Sequence, residues 1–295
     1  MFMAGTAAAR HLPHTLANGD TSENTPFGSF ASANSIAVDP LGFVYVLDEG
    51  TNKIIKFSAD GRKLAEAGGY GWGDQMFDHP YDMCAQNGLD VYVADYGNHR
   101  IQRFDRNLNF VSSFGSSSPR SDERTFGYPR SVAISNSGSL FFIDGENKEI
   151  VKLTTANEIE RSFGGFGSGK GRLQNPTRIR IDPDDHVYVL DGNVILVFDI
   201  YGNYLTTLGE GFFRSPAIFT VHDSKLYILD SCSIVTLDKS GNVFGSAPVT
   251  PDMTRTESCT LRDIAVAGGA LFLLTEHHLF VEQHFFDNHD SGEVK

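Results

Sequence analysis

One five-residue phrase returns six times along the chain and limits what it can fold into more than any other feature. A β-branched residue or Leu, an aromatic, two apolar residues and then Asp appear as Val44-Tyr45-Val46-Leu47-Asp48 and Val91-Tyr92-Val93-Ala94-Asp95. The phrase recurs as Leu140-Phe141-Phe142-Ile143-Asp144, Val187-Tyr188-Val189-Leu190-Asp191 and Leu226-Tyr227-Ile228-Leu229-Asp230. A sixth copy, Leu271-Phe272-Leu273-Leu274-Thr275, has Thr where the others have Asp. Successive aromatics stand 47, 49, 47, 39 and 45 residues apart. A fixed period of this size is the mark of a repeat architecture, in which each unit is too small to bury its own apolar surface.

Each copy sits in a larger frame. Upstream lies a short apolar alternation such as Ser35-Ile36-Ala37-Val38 or Ser131-Val132-Ala133-Ile134, and between the two a turn such as Asp39-Pro40-Leu41-Gly42. Pro, Gly, Asn and Asp there supply the backbone angles of a tight hairpin. Downstream runs a third apolar stretch (Ile54 to Phe57, Ile101 to Phe104, Ile150 to Leu153), then a weaker fourth ending in Phe-Gly, as at Phe114-Gly115. Four short strands per repeat, with no helical apolar period, predict an all-β fold: a six-bladed β-propeller with four-stranded antiparallel blades. The last repeat is short of a strand, since the chain turns polar after Phe286. An N-terminal strand around Arg10 to Leu16 is expected to close the ring. The expected organisation is an arm at 1–28, the propeller at 29–287 and a polar tail at 288–295.

With the repeats placed, Phe77-Asp78-His79-Pro80, the Val91 to Asp95 phrase and Asn98-His99-Arg100-Ile101-Gln102-Arg103-Phe104-Asp105 together resemble the NHL repeat. The connector from Phe163 to Pro176 is similar to that family's links between blades. The resemblance covers about 30–286 and implies a six-bladed propeller. It does not imply one activity, because related folds serve as protein-binding scaffolds, RNA-binding domains, a lyase and lactonases.

Composition narrows the choice. The 295 residues carry 24 Lys and Arg against 37 Asp and Glu, a net charge of −13. Such a balance argues against a nucleic-acid partner, which needs cations to displace counterions from phosphates. The longest apolar runs fall far short of the roughly 20 residues of a transmembrane helix. Met1 to Arg10 lacks the pattern of a secretory signal, and the compartment stays open. Cys84, Cys232 and Cys259 match no metal or redox spacing; a Cys232–Cys259 pair is the one alternative to small buried side chains.

Several tempting motifs have plainer readings. The repeated Asp suits a structural role, accepting backbone N–H bonds beside the second strand. Gly164-x-x-x-x-Gly169-Lys170 looks like a phosphate loop, but Gly171 replaces the required Ser/Thr and no helix follows. His277, His278, His284 and His289 crowd the C-terminus without the fixed geometry a metal needs.

The candidate site is the channel mouth, just before each first strand: Asn34, Tyr81 and Asp82, Arg130, Arg178, Arg262 and Asp263. In the lyase that shares the repeat, zinc-binding His residues occupy the first of these positions. Here that position holds Asn34, Tyr81, Arg130, Thr177, Ala217 and Arg262. Three arginines also oppose a lactonase-type calcium, so neither a metal nor another cofactor is expected. The Arg and Asp residues are either an ion-pair network lining a wet channel or a dock for a carboxylate or phosphate. From the repeated Asp (Thr275 in the last repeat) to the first apolar residue of the third stretch is six residues in repeats 1–3 and four in repeats 4–6, so half of that face is raised. Trp72 and Tyr128 lie on that side as aromatic anchors, the alternative for Trp72 being a plug between blades. The expected function is a non-catalytic scaffold that binds a protein or peptide, with a place in a larger assembly as an extension. The alternative is a hydrolase or lyase using the Arg/Asp mouth, with Tyr81 carrying a proton.

Overall fold

A computed structural model describes residues 26–115, 126–156, 158–254, 260–283 and 285. It is a ring of six antiparallel sheets, each read outward from the hub in chain order. Blade 1 holds β1 (Ala33–Val38), β2 (Val44–Asp48), β3 (Lys53–Phe57) and β4 (Lys63–Gly68). Blade 2 holds β5 (Pro80–Cys84), β6 (Asp90–Asp95), β7 (Arg100–Asp105) and β8 (Phe110–Gly115). Blade 3 holds β9 (Pro129–Ile134), β10 (Leu140–Asp144), β11 (Glu149–Leu153) and β12 (Ile159–Phe163). Blade 4 holds β13 (Pro176–Ile181), β14 (Val187–Asp191), β15 (Val194–Phe198) and β16 (Tyr204–Leu208). Blade 5 holds β17 (Pro216–His222), β18 (Lys225–Asp230), β19 (Ser233–Asp238) and β20 (Val243–Pro248). Blade 6 has three strands, β21 (Leu261–Ala267), β22 (Ala270–Thr275) and β23 (Leu279–Glu282). Each innermost strand lies beside the next, and β1 beside β21, so the ring is closed.

Why the phrase repeats is visible in the packing. Side chains alternate across a strand, so Val44 and Val46 of β2 enter the core shared with blade 6, while Tyr45 and Leu47 enter the core shared with blade 2. The phrase's aromatic does the same in every repeat. Tyr45, Tyr92, Phe141, Tyr188, Tyr227 and Phe272 all lie in the core between their own blade and the following one. A large ring is what the widening wedge between two splayed sheets requires, and Tyr45, Phe141 and Tyr188 are almost wholly excluded from solvent there.

The phrase's Asp holds the segment that enters its own blade. Asp48 accepts the backbone N–H groups of Ala31 (3.1 Å) and Ser32 (2.8 Å), and Asp95 that of Asp78 (2.8 Å). Asp144 accepts from Gly127, Asp191 from Gln174 and Asn175, and Asp230 from Arg214 and Ser215. The same staple in five blades is structural, as the sequence suggests. The first hairpin also forms as expected: Gly42 N–H closes onto the Asp39 carbonyl at 2.9 Å with φ +83°, an angle that favours glycine.

The N-terminal segment does reach blade 6. Phe27 bridges Leu279 on the outer edge of β23, its N–H donating at 2.7 Å, and the N–H groups of Phe30 and Ala33 donate to the carbonyls of His277 and Glu276. The stretch from Arg10 to Leu16, expected to do this, lies outside the described residues, as do Cys259, His284, His289 and the tail from 288. Among the described residues helix is confined to Pro251–Thr254 and a 3-10 turn at Gly169–Gly171, so the phosphate-loop look-alike is a linker. Cys84 is buried between blades 2 and 3.

Removing residues 1–28 takes away the Phe27 burial and its bridge, so the melting temperature should fall by about 5–10 °C, at ~2–3 kcal/mol lost and a few degrees per kcal/mol. A scanning-calorimetry midpoint unchanged by the truncation would show that blade 6 holds without the arm.

Candidate functional site

The second and third residues of every innermost strand have opposite fates, and the second is the extra residue of a β-bulge. Pairing slips at this place in all six blades: between Ala33 and Ser35, Pro80 and Asp82, Pro176 and Arg178, Pro216 and Ile218, Leu261 and Asp263, and opposite Ile143 in blade 3. A bulge inserts an unpaired residue and re-aims its side chain. The bulged positions are Asn34, Tyr81, Arg130, Thr177, Ala217 and Arg262, each at least partly exposed, whereas Ser35, Asp82, Ser131, Arg178, Ile218 and Asp263 are buried.

Those buried residues close the hub. Asp82 Oδ1 accepts from Arg178 Nη1 at 2.6 Å and from Ser35 Oγ at 2.8 Å; its Oδ2 accepts from Arg180 Nη1 at 3.0 Å and from Ser131 Oγ. Asp263 accepts the N–H groups of Ile36 and Ile264 and stands 3.5 Å from Arg178 Nη1 and 3.8 Å from Arg180 Nη2. Arg178 Nη2 reaches the carbonyls of Asn34 and Arg262. Five of the six innermost strands therefore meet in one charged knot. The two guanidinium groups hold the Asp82 carboxyl down at about 2 despite its complete burial, while burial pushes Asp263 up.

Arg180 has no counterpart among the sequence candidates, although a signal existed. Two residues beyond the inward position, the other strands carry Ala37, Cys84, Ala133, Thr220 and Ala265. A lone cation in a column of small residues sits where the others leave room for its side chain.

Of the two readings of the mouth, these residues match the ion-pair network: the polar atoms of Arg178, Asp82 and Asp263 are engaged with one another and with their neighbours. Arg262 is exposed and paired with Glu276 at 2.9 Å. Asn34 donates to the Pro80 carbonyl at 2.7 Å. Trp72 is 73% exposed, so it does not plug the gap between blades.

The raised half of the face is there as expected. Four-residue loops (49–52, 96–99 and 145–148) join the second and third strands of blades 1–3, against two residues (192–193 and 231–232) in blades 4 and 5 and three (276–278) in blade 6. On that half the structure assembles rings from three segments. Tyr81 lies 5.9 Å from Tyr96, Tyr96 4.9 Å from Tyr128, and Tyr128 4.0 Å from His99, centroid to centroid. Tyr96 and His99 come from the lengthened β6–β7 loop, where loop length was the available signal. Beside them the linker 69–79 carries Tyr70 against Trp72 at 6.0 Å. Asn98 Nδ2 ties that linker down through the Gly71 carbonyl, and Arg100 through those of Trp72, Gly73 and Met76. Arg100 is itself fixed by Asp95 at 2.7 Å.

The mouth does not fit a divalent cation: its bulged positions offer an amide, a phenol, a hydroxyl and two guanidinium groups, with two more guanidinium groups beneath. Among the described residues, Asp182, Asp184 and His186 are close enough to share an ion, at the opposite end, but the Lys239 ammonium already sits between the two carboxylates.

Asp82→Asn would leave two buried guanidinium groups short of a counter-charge, a loss of about 3–5 kcal/mol, and should lower the melting temperature by about 10 °C. Because its carboxyl is held below the unfolded value, Asp82 contributes stability that is present above pH 4 and is lost as pH falls toward 2. The acid limb of the pH–stability curve should accordingly be shallower in the variant, and identical limbs would count against the knot.

Residues 77–104, the stretch from Phe77 through β7, match the family model of the NHL repeat. The chain is 30% identical over 145 residues to protein brain tumor of Drosophila melanogaster, covering 48% of this chain and 13% of that protein. It is 27% identical over 182 residues to NHL repeat-containing protein 3 of Homo sapiens, covering 56% of this chain and 51% of that one. The chain thus spans about half, or much less, of the relatives it matches. Among solved structures, a streptogramin B lyase superposes with a TM-score of 0.63 at 14% identity, over 87% of this chain and 96% of that one, a likeness of fold alone. Repeat period and blade packing make the chain a six-bladed β-propeller, and the family match places an NHL repeat within it at residues 77–104.

Proposed function

We propose that the chain is a non-catalytic scaffold that binds a protein or peptide partner on the raised half of its mouth face, over blades 1–3. The observation that carries this reading is the run of stacked rings, Tyr81, Tyr96, Tyr128 and His99, beside the clamped Tyr70–Trp72 pair. Aromatic side chains held on a rigid frame give large contact area at small entropic cost, and such residues dominate interface energetics. The linker beneath the Tyr70–Trp72 pair is held by the buried Arg100, which bonds three of its carbonyls and Asp95. The NHL relatives are in keeping with this use of the fold. The alternative, a hydrolase or lyase working through the Arg/Asp mouth with Tyr81 as proton carrier, is weakened because Asp82, Asp263, Arg178 and Arg180 are spent on one another.

The test is affinity capture from the source cells with the intact chain and with Tyr96→Ala and Tyr128→Ala variants, quantified by mass spectrometry. The proteins retained by the parent should fall by about tenfold or more with either variant, as for a hot-spot residue. Retention that is indifferent to both substitutions would remove the rings from the interface.

A further inference from the structure

Beside the same rings one cation is left over. Arg130 occupies the bulged position next to Tyr81 in the ring of innermost strands, and its Nε is buried without a hydrogen-bond partner among the described residues. Unlike Arg100, Arg178, Arg180 and Arg262, it has no carboxylate: the described residues give it no ion pair. Its stem lies flat across Gly145, where an added Cβ would come within 2.9–3.0 Å of Nε, Cδ and Cγ. Gly145 N–H in turn donates to the Tyr128 carbonyl at 2.8 Å, so the arginine and the ring cluster are parts of one clamp. Glu146, next in that loop, lies over Gly127.

Arg130 is only partly buried, so the outer part of its guanidinium can take a partner from outside the chain. What the face lacks is specific: an anion for the guanidinium and a flat apolar group for the rings. Resting on the scaffold reading above, we propose that this face takes an acidic peptide segment of a partner protein, an Asp or Glu adjoining an aromatic residue. The carboxylate meets the Arg130 guanidinium and the aromatic side chain lies on Tyr81, Tyr96 and Tyr128. A small free carboxylate would leave the rings unused. A nucleic acid would need several free cations, which a chain of net charge −13 does not favour. That overall charge does not forbid an acidic segment, since at physiological salt it is screened beyond about 8 Å and the contact guanidinium prevails.

The test is fluorescence anisotropy of the full chain with labelled, otherwise degenerate peptide pools that carry a fixed Glu-Phe, Gln-Phe or Lys-Phe pair, and with labelled oligouridylate. The Glu-Phe pool should bind about tenfold tighter than the Gln-Phe pool and more strongly still than Lys-Phe, the range of a charge-assisted pair. Arg130→Met should erase the Glu/Gln difference while leaving Gln-Phe binding unchanged, a readout that loss of folding would not produce. Tyr128→Ala should weaken every pool, and Arg262→Ala none. Equal or tighter binding of Lys-Phe, still lost in Tyr128→Ala, would overturn the acidic specificity and leave the scaffold reading standing. Binding of no pool, or binding indifferent to both Arg130 and Tyr128, would overturn the inference; the capture experiment would then judge the scaffold reading by itself. Oligouridylate binding that depends on Arg130 would replace the peptide with RNA.

Discussion

Every feature of this protein follows from the need to bury both faces of a four-stranded sheet that no other layer covers. A blade standing alone would leave one set of alternating side chains in water. In the ring, each face is packed against a neighbour, and six separate apolar cores arise between six pairs of blades. Blade 6, one strand short among the described residues, meets the requirement by accepting Phe27 on its free edge. Closure is thus a condition on every repeat at once, which is why the aromatic of the recurring phrase keeps its size in all six copies.

The hub adds a second condition. Six strands converging on an axis leave space that small residues cannot fill, and here two arginines from one strand fill it, with two aspartates from other blades as counter-charges. Such a buried knot adds little net stability compared with apolar packing, but it strongly penalises any arrangement that separates its members. It therefore fixes which blades face which across the axis. Its members are buried, whereas the bulged residues beside them are at least partly exposed.

Much of this was readable from the residues. The period, the strand count, the role of the repeated Asp and the raised loops of blades 1–3 follow from alternation, turn chemistry and loop length, all local properties. The strand starts are legible in the repeats, but the sorting of their members is not: adjacent residues of one strand, Arg178, Asp82 and Asp263 beside Thr177, Tyr81 and Arg262, look equivalent in sequence. Arg180 is not legible within its own repeat, because the small residues at its level, Ala37, Ala133 and Ala265, belong to other repeats and share that level only after closure.

By itself the sequence determined that the chain forms six sheets and that their faces, both apolar, must be stacked against one another. Which polar residues are spent and which are free was decided by the tertiary structure. A bulge at the start of each innermost strand turns one residue to the rim and the next to the axis, and only the closed ring brings side chains such as Asp82 and Arg178, 96 positions apart, to 2.6 Å. Alternation is encoded along a strand; the partner of a charge across a hub is encoded in the geometry that joins six strands, and no single repeat contains it.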